Sequence, residues 1–483
     1  MEELVGDHIT NVLLVGQGNL YDGYYDQEEL ERIGESILGQ IKSSDSFLQD
    51  HIEEFHKRFN ALVEKAQEVS EEDLNSLNNK QLGKVFESYY EKFRELAPFM
   101  NTPHTIESFA NKKIRGFIEK RLLDNNTEKV ESYFNKLSIP SKESPEIKRK
   151  KGLLRIAVRI NKNDFSGIFD DKKAFESPAE VMREIKREQP KIAEEIRSHV
   201  RSWAWMGMQS YLYSPHDLEF VLESLSNIFE RKEKPQEQLE ELKSERKDSV
   251  REMKEVLDDL DPEKEIRELI ELLQEYIYLR TKRMEGFKKA YYYTRDLIKE
   301  VSDRMDLEGK EIFVVSPEEM ITFLKEGKKP ESEEIKKRLN SRAFAMKQGE
   351  VNLISGEKQV KKFLEEEIEE EIEVKKDLLK GSGAYPGKVG GKVSIVKDES
   401  DLDDFEEGDI LVTTMTSPEL TLAIDKASAI ITDEGGMTSH AALISREMQI
   451  PCIVGTKAAT KVLETGEKVK VDAEAGVVKK LEE

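Results

Sequence analysis

A short segment near the carboxyl end of the chain, Gly-Gly-Met-Thr-Ser-His, combines residue types that suit the binding of phosphate. Gly435 and Gly436 accept backbone conformations that other residues resist, and they let N–H groups approach a ligand closely. Thr438 or Ser439 can cap the helix that the Ala-rich sequence predicts next. His440 then lies beside unpaired amides at the positive end of the helix dipole, where an anion is stabilised. Two interpretations of His440 follow: a structural histidine at a helix start, or a nucleophile that carries a phosphoryl group.

The elements that must position this segment are predicted by the surrounding residues, 380–483. Apolar runs of strand length, such as GDILVT and ASAIITD, alternate there with glycine turns and with helical stretches such as HAALISREM. This alternation is typical of a compact α/β domain. We therefore expect one such domain here, joined to the preceding chain by a hinge at the glycine-containing stretch 380–387.

The rest of the chain is predicted to be mostly helical. Apolar residues within 82–96 recur at three- and four-residue steps, which is the spacing of one helix face. Two long helices are predicted over 236–305, with Asp261 as the N-cap and Pro262 as the first residue of the second helix. The fold class expected is therefore multi-domain, with a large, mostly α-helical amino-terminal region at 1–310 and a compact α/β domain at the carboxyl end.

Residues 311–379 are expected to form a small α/β connector that includes the hinge region. The run EIFVV predicts a strand, and Ser316 with Glu319 predicts a capping box at the start of the next helix. The following segment predicts a hairpin about Gln348-Gly349. The acidic run after it lacks the turn geometry of a metal site, so we interpret it as a solvated helix or linker and predict no metal ligands.

Two other segments of the helical region invite interpretation. The basic cluster 148–151 lies among prolines and serines, which favours a solvated surface loop, and GLLRIAVRI after it favours a strand or a short buried segment. Trp203 and Trp205 bring both tryptophans of the chain together, with His199 just before them. Such an aromatic concentration marks either a packed centre or a binding cavity.

The composition excludes several classes of function. The formal net charge is −23 and the pI is near 5.1, so the chain repels nucleic acid and anionic membranes, and neither is expected as a partner. Cys452 is the single cysteine, which excludes an internal disulfide and a cysteine-based metal cluster and favours a reducing compartment. The amino-terminal sequence lacks the layout of a signal peptide, and no window has the length of a membrane-spanning helix. A cytoplasmic location is expected.

The segment TDEGGMTSHAALISREMQIPCIVG, residues 432–455, resembles the phosphohistidine motif of the swivelling, or mobile, domain of phosphoenolpyruvate-utilising enzymes. This family includes pyruvate phosphate dikinase and phosphoenolpyruvate synthase. Two upstream segments resemble the same domain: GAYPGKVGGKV at 383–393 resembles its opening, and TTMTSPEL at 413–420 resembles the loop before its central strand. Agreement at three ordered places is specific to this family.

The resemblance implies that His440 is phosphorylated and dephosphorylated in each catalytic cycle, and that Gly435, Gly436, Thr438 and Ser439 bind the phosphate. It also implies a phosphotransferase of the synthase or dikinase type, in which the domain carries a phosphoryl group to a small acceptor such as pyruvate. The chemistry of the residue agrees, because imidazole is a good nucleophile near neutral pH and its phosphoramidate is a reactive donor.

The helical region carries a looser resemblance. The segment IYLRTKRMEGFKKAYYYTRDLIKEVSDRM, with the strand and capped helix expected after it, is similar to the acceptor-binding domain of synthase-like phosphotransferases. Packing or a surface ion pair is the alternative role for every residue that this resemblance nominates. The candidates for contact with the acceptor are Trp203, Trp205, His199, Arg280 and Arg295.

No segment of this sequence has the character of the family's ATP-grasp nucleotide-binding domain or of its phosphoenolpyruvate-binding barrel. We therefore expect the acceptor and carrier portion of a split enzyme, incomplete without an ATP-grasp partner that binds Mg²⁺ with ATP and loads His440. One alternative is a phosphocarrier or regulatory protein whose helical region only docks partner proteins. The other is a non-enzymatic scaffold, against which the intact motif argues.

Overall fold

A computed structural model describes the fold of the chain. The described residues are 12–17, 20–25, 27–43, 47–96, 99, 102–122, 127–140, 142–172, 177–208, 210–211, 213–347, 350–367, 378–396, 401–402, 405–416, 420–435 and 439–481. The chain divides into two compact units. Unit 1 comprises residues 1–112, 210–212 and 286–372, and unit 2 comprises residues 113–209, 213–285 and 373–483.

Most of the described elements are helices, and strands become frequent toward the carboxyl end of the chain. The helices are α1 (Gln27–Ser43), α2 (Phe47–Ser70), α3 (Asn79–Arg94), α4 (Thr102–Leu122), α5 (Thr127–Leu137), α6 (Pro145–Lys162), α7 (Pro178–Glu188), α8 (Pro190–Trp203), α9 (Leu218–Glu230), α10 (Pro235–Leu260), α11 (Lys264–Met305), α12 (Pro317–Glu326), α13 (Ser332–Asn340), α14 (Glu357–Glu367), α15 (Thr421–Lys426), α16 (His440–Met448) and α17 (Ala459–Val462). The strands are β1 (Val12–Gln17), β2 (Leu20–Tyr25), β3 (Arg342–Lys347), β4 (Glu350–Ser355), β5 (Leu378–Lys380), β6 (Ser382–Tyr385), β7 (Lys388–Ile395), β8 (Ile410–Thr413), β9 (Ala429–Thr432), β10 (Cys452–Val454), β11 (Lys468–Asp472) and β12 (Val477–Lys480). This architecture confirms the expected fold class, a multi-domain chain with a mostly helical amino-terminal region and a carboxyl-terminal α/β domain.

Unit 1 contains a four-stranded antiparallel sheet in the order β2-β1-β3-β4. β3 and β4 pair with Lys347 opposite Glu350, which confirms the predicted hairpin, although its turn residues Gln348 and Gly349 lie outside the described residues. The pair β1 and β2 was not expected from the sequence. β1 pairs with β3 from the other end of unit 1, and a pairing between such distant segments leaves no local pattern to read.

The segment before α12 differs from its prediction. Residues Glu311–Val314 form a 3-10 turn rather than a strand, and Ile312 and Val314 within it are buried. A short buried apolar run is compatible with either structure, because its periodicity cannot separate them. The predicted capping box is confirmed: the Ser316 Oγ accepts from the Glu319 N–H at 3.2 Å, and Glu319 Oε2 accepts from the Ser316 N–H at 2.8 Å.

The helix α6 corrects the prediction for the basic cluster. Residues 148–151 do not form a solvated loop but lie within the first turns of α6, where Arg149 is buried, and GLLRIAVRI continues the same helix instead of forming a strand. Ser144 caps the helix by accepting from the Ile147 N–H at 3.3 Å, and Pro145 is its first residue. The Ser-Pro helix start therefore outweighs the loop-like composition around it.

The two long helices predicted over 236–305 are present as α10 and α11. Asp261 does not cap the second helix as expected. It ends the first one in the left-handed conformation, with φ 41°, and its N–H donates to the Leu257 carbonyl oxygen at 3.0 Å. Aspartate tolerates this conformation better than most residues, so the same residue type serves either end of a helix.

The described residues 378–481 form the sheet domain of unit 2. Its eight strands have the order β5-β12-β11-β7-β8-β9-β10-β6, in which β7, β8, β9 and β10 are parallel and the other neighbours are antiparallel. β8, β9 and β10 are buried along their whole lengths. Their continuous apolar sequences follow from this, because parallel strands are usually covered on both faces.

Two glycines of the stretch 380–387 pack closely within the sheet domain, and the hinge expected at this stretch stays a prediction. A Cβ added to Gly381 would lie 2.6 Å from the Val454 carbonyl oxygen, and one added to Gly383 would lie 1.8 Å from that of Ala473. Both contacts are far inside van der Waals distance, so only glycine fits. The acidic segment 368–377 lies outside the described residues.

Across the described residues, no helix combines the length and the apolar character that crossing a membrane requires.

Candidate functional site

The helix α16 begins at His440, as the sequence predicts for a capped helix start. Ser439 is its N-cap residue, with extended φ and ψ of −63° and 163°, and its Oγ accepts from the Ala442 N–H at 3.3 Å. The amides of the first turn have no carbonyl partner within the helix, and they lie at the positive end of its dipole. The Oγ of Ser439 therefore stabilises the first turn of the helix that begins at His440.

Two glycines fix the loop before α16. Gly435 has φ +101°, a conformation that L side chains rarely adopt, and a Cβ there would lie 2.8 Å from the Ser439 Cβ. Gly455, with φ +72°, passes so close that its own Cβ would lie 2.9 Å from the Gly435 carbonyl oxygen. The loop therefore needs glycine at 435 for its backbone shape and glycine at 455 for space.

Asp433, directly after β9, connects the start of the loop before α16 to Thr456 and Thr460 through hydrogen bonds. Its buried carboxylate accepts from the Thr456 Oγ1 at 3.2 Å, from the Thr460 N–H at 3.1 Å and from the Thr460 Oγ1. The backbone on either side is also bonded: the Asp433 N–H donates to the Thr413 carbonyl oxygen, and the Lys457 N–H donates to that of Asp433. These bonds connect the ends of β8, β9 and β10 next to the start of α16.

The site lies where ligands usually bind in open α/β sheets, beyond the carboxyl ends of parallel strands. The helix that follows β9 points its amino end there. Among the described residues no group of three or more His, Cys, Asp or Glu is placed to hold a metal ion. The backbone amides at the start of α16 are electropositive groups that this part of the chain supplies.

The opposite end of α16 is held by the helical part of unit 2. Arg446 is buried; its Nε donates to the Ala384 carbonyl oxygen at 3.1 Å, and its guanidinium donates to Asn135 Oδ1 on α5 at 3.3 Å. Asn135 in turn donates to the Gly383 carbonyl oxygen at 3.3 Å. Cys452 lies fully buried in β10, and burial raises the pKa of its thiol to about 12.

The predicted phosphate-binding residues are only partly within the described residues. Gly435 and Ser439 take the positions described above. Gly436 and Thr438 lie outside the described residues, and of His440 only the backbone is described. The roles of all five stay predictions.

The candidate acceptor residues are spread over both units. Trp203, Trp205 and Arg280 belong to unit 2, and Arg295 belongs to unit 1, where its guanidinium lies 4.5 Å from the centre of the Tyr292 ring. The two tryptophan rings lie 6.1 Å apart; Trp205 is buried and its Nε1 donates to the Ser202 carbonyl oxygen at 2.8 Å. Their acceptor role remains a prediction.

His199 is buried next to these tryptophans. Burial, and then the charge of Arg149, lower the pKa of its imidazole to about 4. It is therefore neutral at physiological pH, which suits a packed residue.

Two sizeable cavities are lined by described residues of unit 2, and none of the five acceptor candidates lines either of them. The larger, of about 790 Å³, lies between α5, α10 and the sheet domain and is lined in part by Asn135, Glu245, Tyr385 and Arg446. Burial, followed by the charges of Glu245 and Glu252, raises the pKa of the Tyr385 hydroxyl. The smaller, of about 440 Å³, is lined by residues of α6, α9 and α15.

Sequence reasoning missed the residues that brace the site. Asp433, Thr456 and Thr460 act together only because β9, β10 and α17 are adjacent in the fold. The single readable signal was a carboxylate directly after an apolar strand, in ASAIITD. Arg446 and Asn135 are equally distant in sequence, and no local pattern joins them.

Comparison with known proteins matches part of this chain to a family. Residues 405–476 match the model of the PEP-utilising enzyme, mobile domain. A probable phosphoenolpyruvate synthase of Archaeoglobus fulgidus is 42% identical over 219 residues, covering 42% of this chain and 28% of that protein. The phosphoenolpyruvate synthase of Pyrococcus furiosus is 57% identical over 103 residues, covering 21% of this chain and 13% of that protein. The matched part is thus less than a third of either relative.

Among solved structures, the crystal structure of Thermococcus kodakaraensis aconitase X in its holo-form aligns with 22% of this chain and 98% of its own. The identity is 27% and the TM-score is 0.18, which is too low to support an argument about function.

Proposed function

We propose that this chain, whose residues 405–476 match the mobile domain of phosphoenolpyruvate-utilising enzymes, is a phosphotransferase component that carries a phosphoryl group on His440. The observation that carries the proposal is the helix start itself: α16 begins at His440, is capped by Ser439, and follows a loop that Gly435 shapes. A partner of the ATP-grasp type loads the histidine from ATP, and a small acceptor such as pyruvate or another small organic molecule receives the group.

In the loading step one ring nitrogen of His440 attacks the phosphorus that is transferred. The N–P bond forms as the bond from that phosphorus to the bridging oxygen breaks, and the bond's electron pair leaves with the nucleotide. In the delivery step an acceptor oxygen attacks the same phosphorus, and the electron pair of the N–P bond returns to the imidazole. The proton that the acceptor gives up, from a hydroxyl or from the methyl carbon of pyruvate as it enolises, passes to the released ring nitrogen. No other reactant is needed.

The residues around His440 lower the barrier by holding charge. The first-turn amides of α16 lie at the start of the helix that begins at His440, and the helix dipole there favours the negative oxygens of a phosphoryl group. Because Asp433 and its partners tie the loop to the sheet, these amides need little rearrangement during transfer. The protein contributes a preorganised cradle.

The larger cavity is a candidate place for the acceptor. Its volume of about 790 Å³ is within the range of small-molecule sites. It lies at the Arg446 end of α16, and a nine-residue helix is about 13 Å long, so His440 starts at the other end. The sheet domain supplies part of the cavity wall through Tyr385 and Arg446, so its movement would open this cavity, and His440 would meet an acceptor held by the helical part of unit 2 only after such a movement.

Mg²⁺ supplies charge neutralisation to ATP when it is bound, and we assign it to the partner's nucleotide site. The described residues of this chain do not fit a metal site, so no step of the proposal depends on a metal held here.

A second candidate function, a phosphocarrier whose helical region only docks partner proteins, is favoured by one observation. Trp205 is buried and its indole N–H is already bonded to the carbonyl oxygen of Ser202, so the aromatic cluster serves packing rather than an open pocket. The two candidates differ in whether the isolated, phosphorylated chain transfers its phosphate to a small molecule.

The test is to incubate the full chain with labelled ATP and a candidate ATP-grasp partner. We expect acid-labile, alkali-stable label on the wild type and none on His440→Ala, because phosphohistidine has this stability. His56→Ala changes a partly exposed histidine of unit 1 and should keep full labelling. Label on His440→Ala would overturn the proposal, and label without any partner would overturn the split-enzyme arrangement.

A chase separates the two candidates. The labelled chain, freed of ATP, is mixed with pyruvate and with other small hydroxy or keto acids. Label that passes to one of them supports the transferase, and label that passes only to another protein supports the phosphocarrier.

A further inference from the structure

The smaller cavity of unit 2 has an unusual lining. It lies between α6, α9 and α15 and encloses about 440 Å³. Arg149 lines it from α6, and Ser224 and Asn227 line it from α9. Arg149 is 3% exposed and Ser224 is 4% exposed. Arg149 and Ser224 are therefore polar groups of the protein interior.

Four of these buried polar atoms lack a hydrogen-bond partner among the described residues. They are the Nε of Arg149, the Oγ of Ser224, and both the Nδ2 and the Oδ1 of Asn227. Most buried polar groups in folded proteins are bonded, and leaving several unbonded in one place is costly. All four belong to residues that line one cavity and are themselves enclosed, so they contact a polar occupant only after their side chains turn toward the cavity.

The charge around the cavity identifies that occupant as an anion. Arg149 and Lys150 of α6 lie beside Arg231 at the end of α9, whereas Glu230, Glu233 and Glu407 of the lining are exposed to solvent. Burial acts to lower the pKa of Arg149, but guanidinium groups stay charged in proteins. The base of the cavity is therefore positive and its rim acidic.

One carboxylate of the protein already makes use of this positive charge. Asp425 of α15 accepts from the Lys150 Nζ through its Oδ1 at 3.2 Å, and Arg231 donates to the backbone carbonyl oxygen of the same residue. Although burial acts to raise the pKa of Asp425, the charges of Lys150, Arg149 and Arg231 hold it below its usual range. The Asp425 carboxylate therefore shows that these three cations stabilise an anion of the protein itself.

We propose that this cavity binds a small oxyanion, a carboxylate or a phosphate, through Arg149, Ser224 and Asn227, and that the bound anion competes with Asp425 for Lys150. The guanidinium and the hydroxyl donate to the anion's oxygens. The amide of Asn227 donates through Nδ2 and accepts through Oδ1 from a hydroxyl of the ligand, as in a protonated phosphate.

The competition links the ligand to the mobile domain. α15 belongs to the sheet domain, and α6 belongs to the helical part of unit 2, so the Lys150–Asp425 pair holds the two together. An anion that draws Lys150 away weakens this contact and favours release of the sheet domain. The inference concerns residues remote in sequence from His440 and holds whether or not that histidine is phosphorylated.

The test is calorimetric titration of the full chain with inorganic phosphate and, separately, with acetate at constant ionic strength. We expect saturable binding of at least one of these anions. The anion that binds more tightly shows whether the natural ligand is a phosphate or a carboxylate. Ser224→Ala should weaken binding by about three- to tenfold. Ser226→Ala is the matched control, since Ser226 is likewise buried without a partner among the described residues but does not line the cavity.

A second pair of variants covers the case in which Ser224→Ala fails to fold. Arg149→Lys keeps the charge but loses the planar donor set, and we expect about tenfold weaker binding. Arg155→Lys changes an exposed arginine of the same helix and should leave the affinity unchanged. No saturation by about 10 mM of either anion would overturn the site, because the cavity then holds water only. Equal losses in Ser224→Ala and Ser226→Ala would overturn it as well.

The competition is tested separately with Asp425→Asn. Removing the rival carboxylate should tighten anion binding by about threefold or more. In the wild type, phosphate or acetate at saturation should speed hydrogen exchange of the α15 amides. Unchanged affinity in Asp425→Asn together with unchanged exchange would refute the competition.

Discussion

Two regions of unit 2 are proposed here to hold an anion, and they are built in opposite ways. At the start of α16 the groups that face a phosphate are backbone amides, set in place by the conformation of Gly435 and the cap of Ser439. In the Arg149 cavity they are side chains from α6 and α9. The first arrangement is encoded within a few consecutive residues, whereas the second exists only after two helices have packed together.

The difference has a physical consequence. Backbone amides do not titrate and cost no side-chain entropy to hold still, so the α16 site is ready in every folded molecule. The cavity depends on charges that a neighbouring carboxylate already uses, so its affinity responds to pH and to the position of α15. The α16 site is therefore suited to binding phosphate in every catalytic cycle, and the Arg149 cavity is suited to regulating the contact between α15 and α6.

The largest effect is expected from Gly435→Ala. The residue has φ +101°, and a Cβ would lie 2.8 Å from that of Ser439. We expect a loss of about 3 kcal/mol in the free energy of unfolding of the sheet domain and loss of phosphorylation. Chemical denaturation and the labelling assay measure these.

Gly390→Ala is the control for this backbone effect, because its added Cβ meets nothing closer than 3.8 Å. It should change neither stability nor labelling. A Gly435→Ala protein as stable and as readily labelled as wild type would show that the α16 site does not depend on its backbone shape.

The next largest effect is expected from Asp433→Ala. The change removes the acceptor of the Thr456 and Thr460 donors in a buried place. We expect a loss of about 2 kcal/mol in unfolding free energy and slower phosphorylation, because unpaired buried donors are costly. Anion binding in the Arg149 cavity should be unaffected. Asp258→Ala, at an exposed position of α10, is the matched control and should unfold like wild type.

Ser439→Ala should cost about 1 kcal/mol, the usual value of a helix cap. Ser316→Ala removes the cap of α12 in unit 1 and should cost a similar amount. Only the first should reduce the rate of phosphorylation, because only α16 presents His440. Equal labelling rates in both variants would remove Ser439 from the site.

The smallest effect concerns pH, and it separates the side-chain site from the backbone site. The pKa of Asp425 is lowered in the folded chain, so its stabilising contribution is present above its unfolded value of about 4 and is lost as pH falls through the folded value. We expect wild type to exceed Asp425→Asn in unfolding free energy by less than about 1 kcal/mol at pH 7.

The difference should shrink as pH falls below about 4 in a denaturation series from about pH 7 to pH 3. A difference that grows toward low pH would contradict the lowered pKa. The stabilities of wild type and Ser439→Ala, by contrast, should keep a constant difference over this range.

The sequence was sufficient where the determinants are local. The capped start of α16, the Ser316 capping box, the hairpin of β3 and β4 and the two long helices all follow from residues within one turn or one hairpin of each other. The family resemblance of the segment before His440 is confirmed by the match of residues 405–476.

The sequence was insufficient where burial or distant pairing decides. The basic cluster 148–151 was predicted to be a solvated loop because of its charged residues and the prolines and serines around it. In the structure it belongs to α6, and Arg149 is buried where α6 packs against α9. The sheet glycines Gly381 and Gly383 looked flexible, but neighbouring carbonyl groups leave room for nothing larger. In each case the partner that determines the role lies far away along the chain.

The buried thiol of Cys452 has a practical consequence. The chain has a single cysteine, and its high pKa and full burial leave almost no reactive thiolate at neutral pH. A cysteine introduced on an exposed surface would therefore be the sole position that a maleimide dye modifies, with the native core left intact. With one introduced cysteine on the sheet domain and one on α10, each carrying a dye, energy transfer between the dyes would report movements of the sheet domain in single molecules.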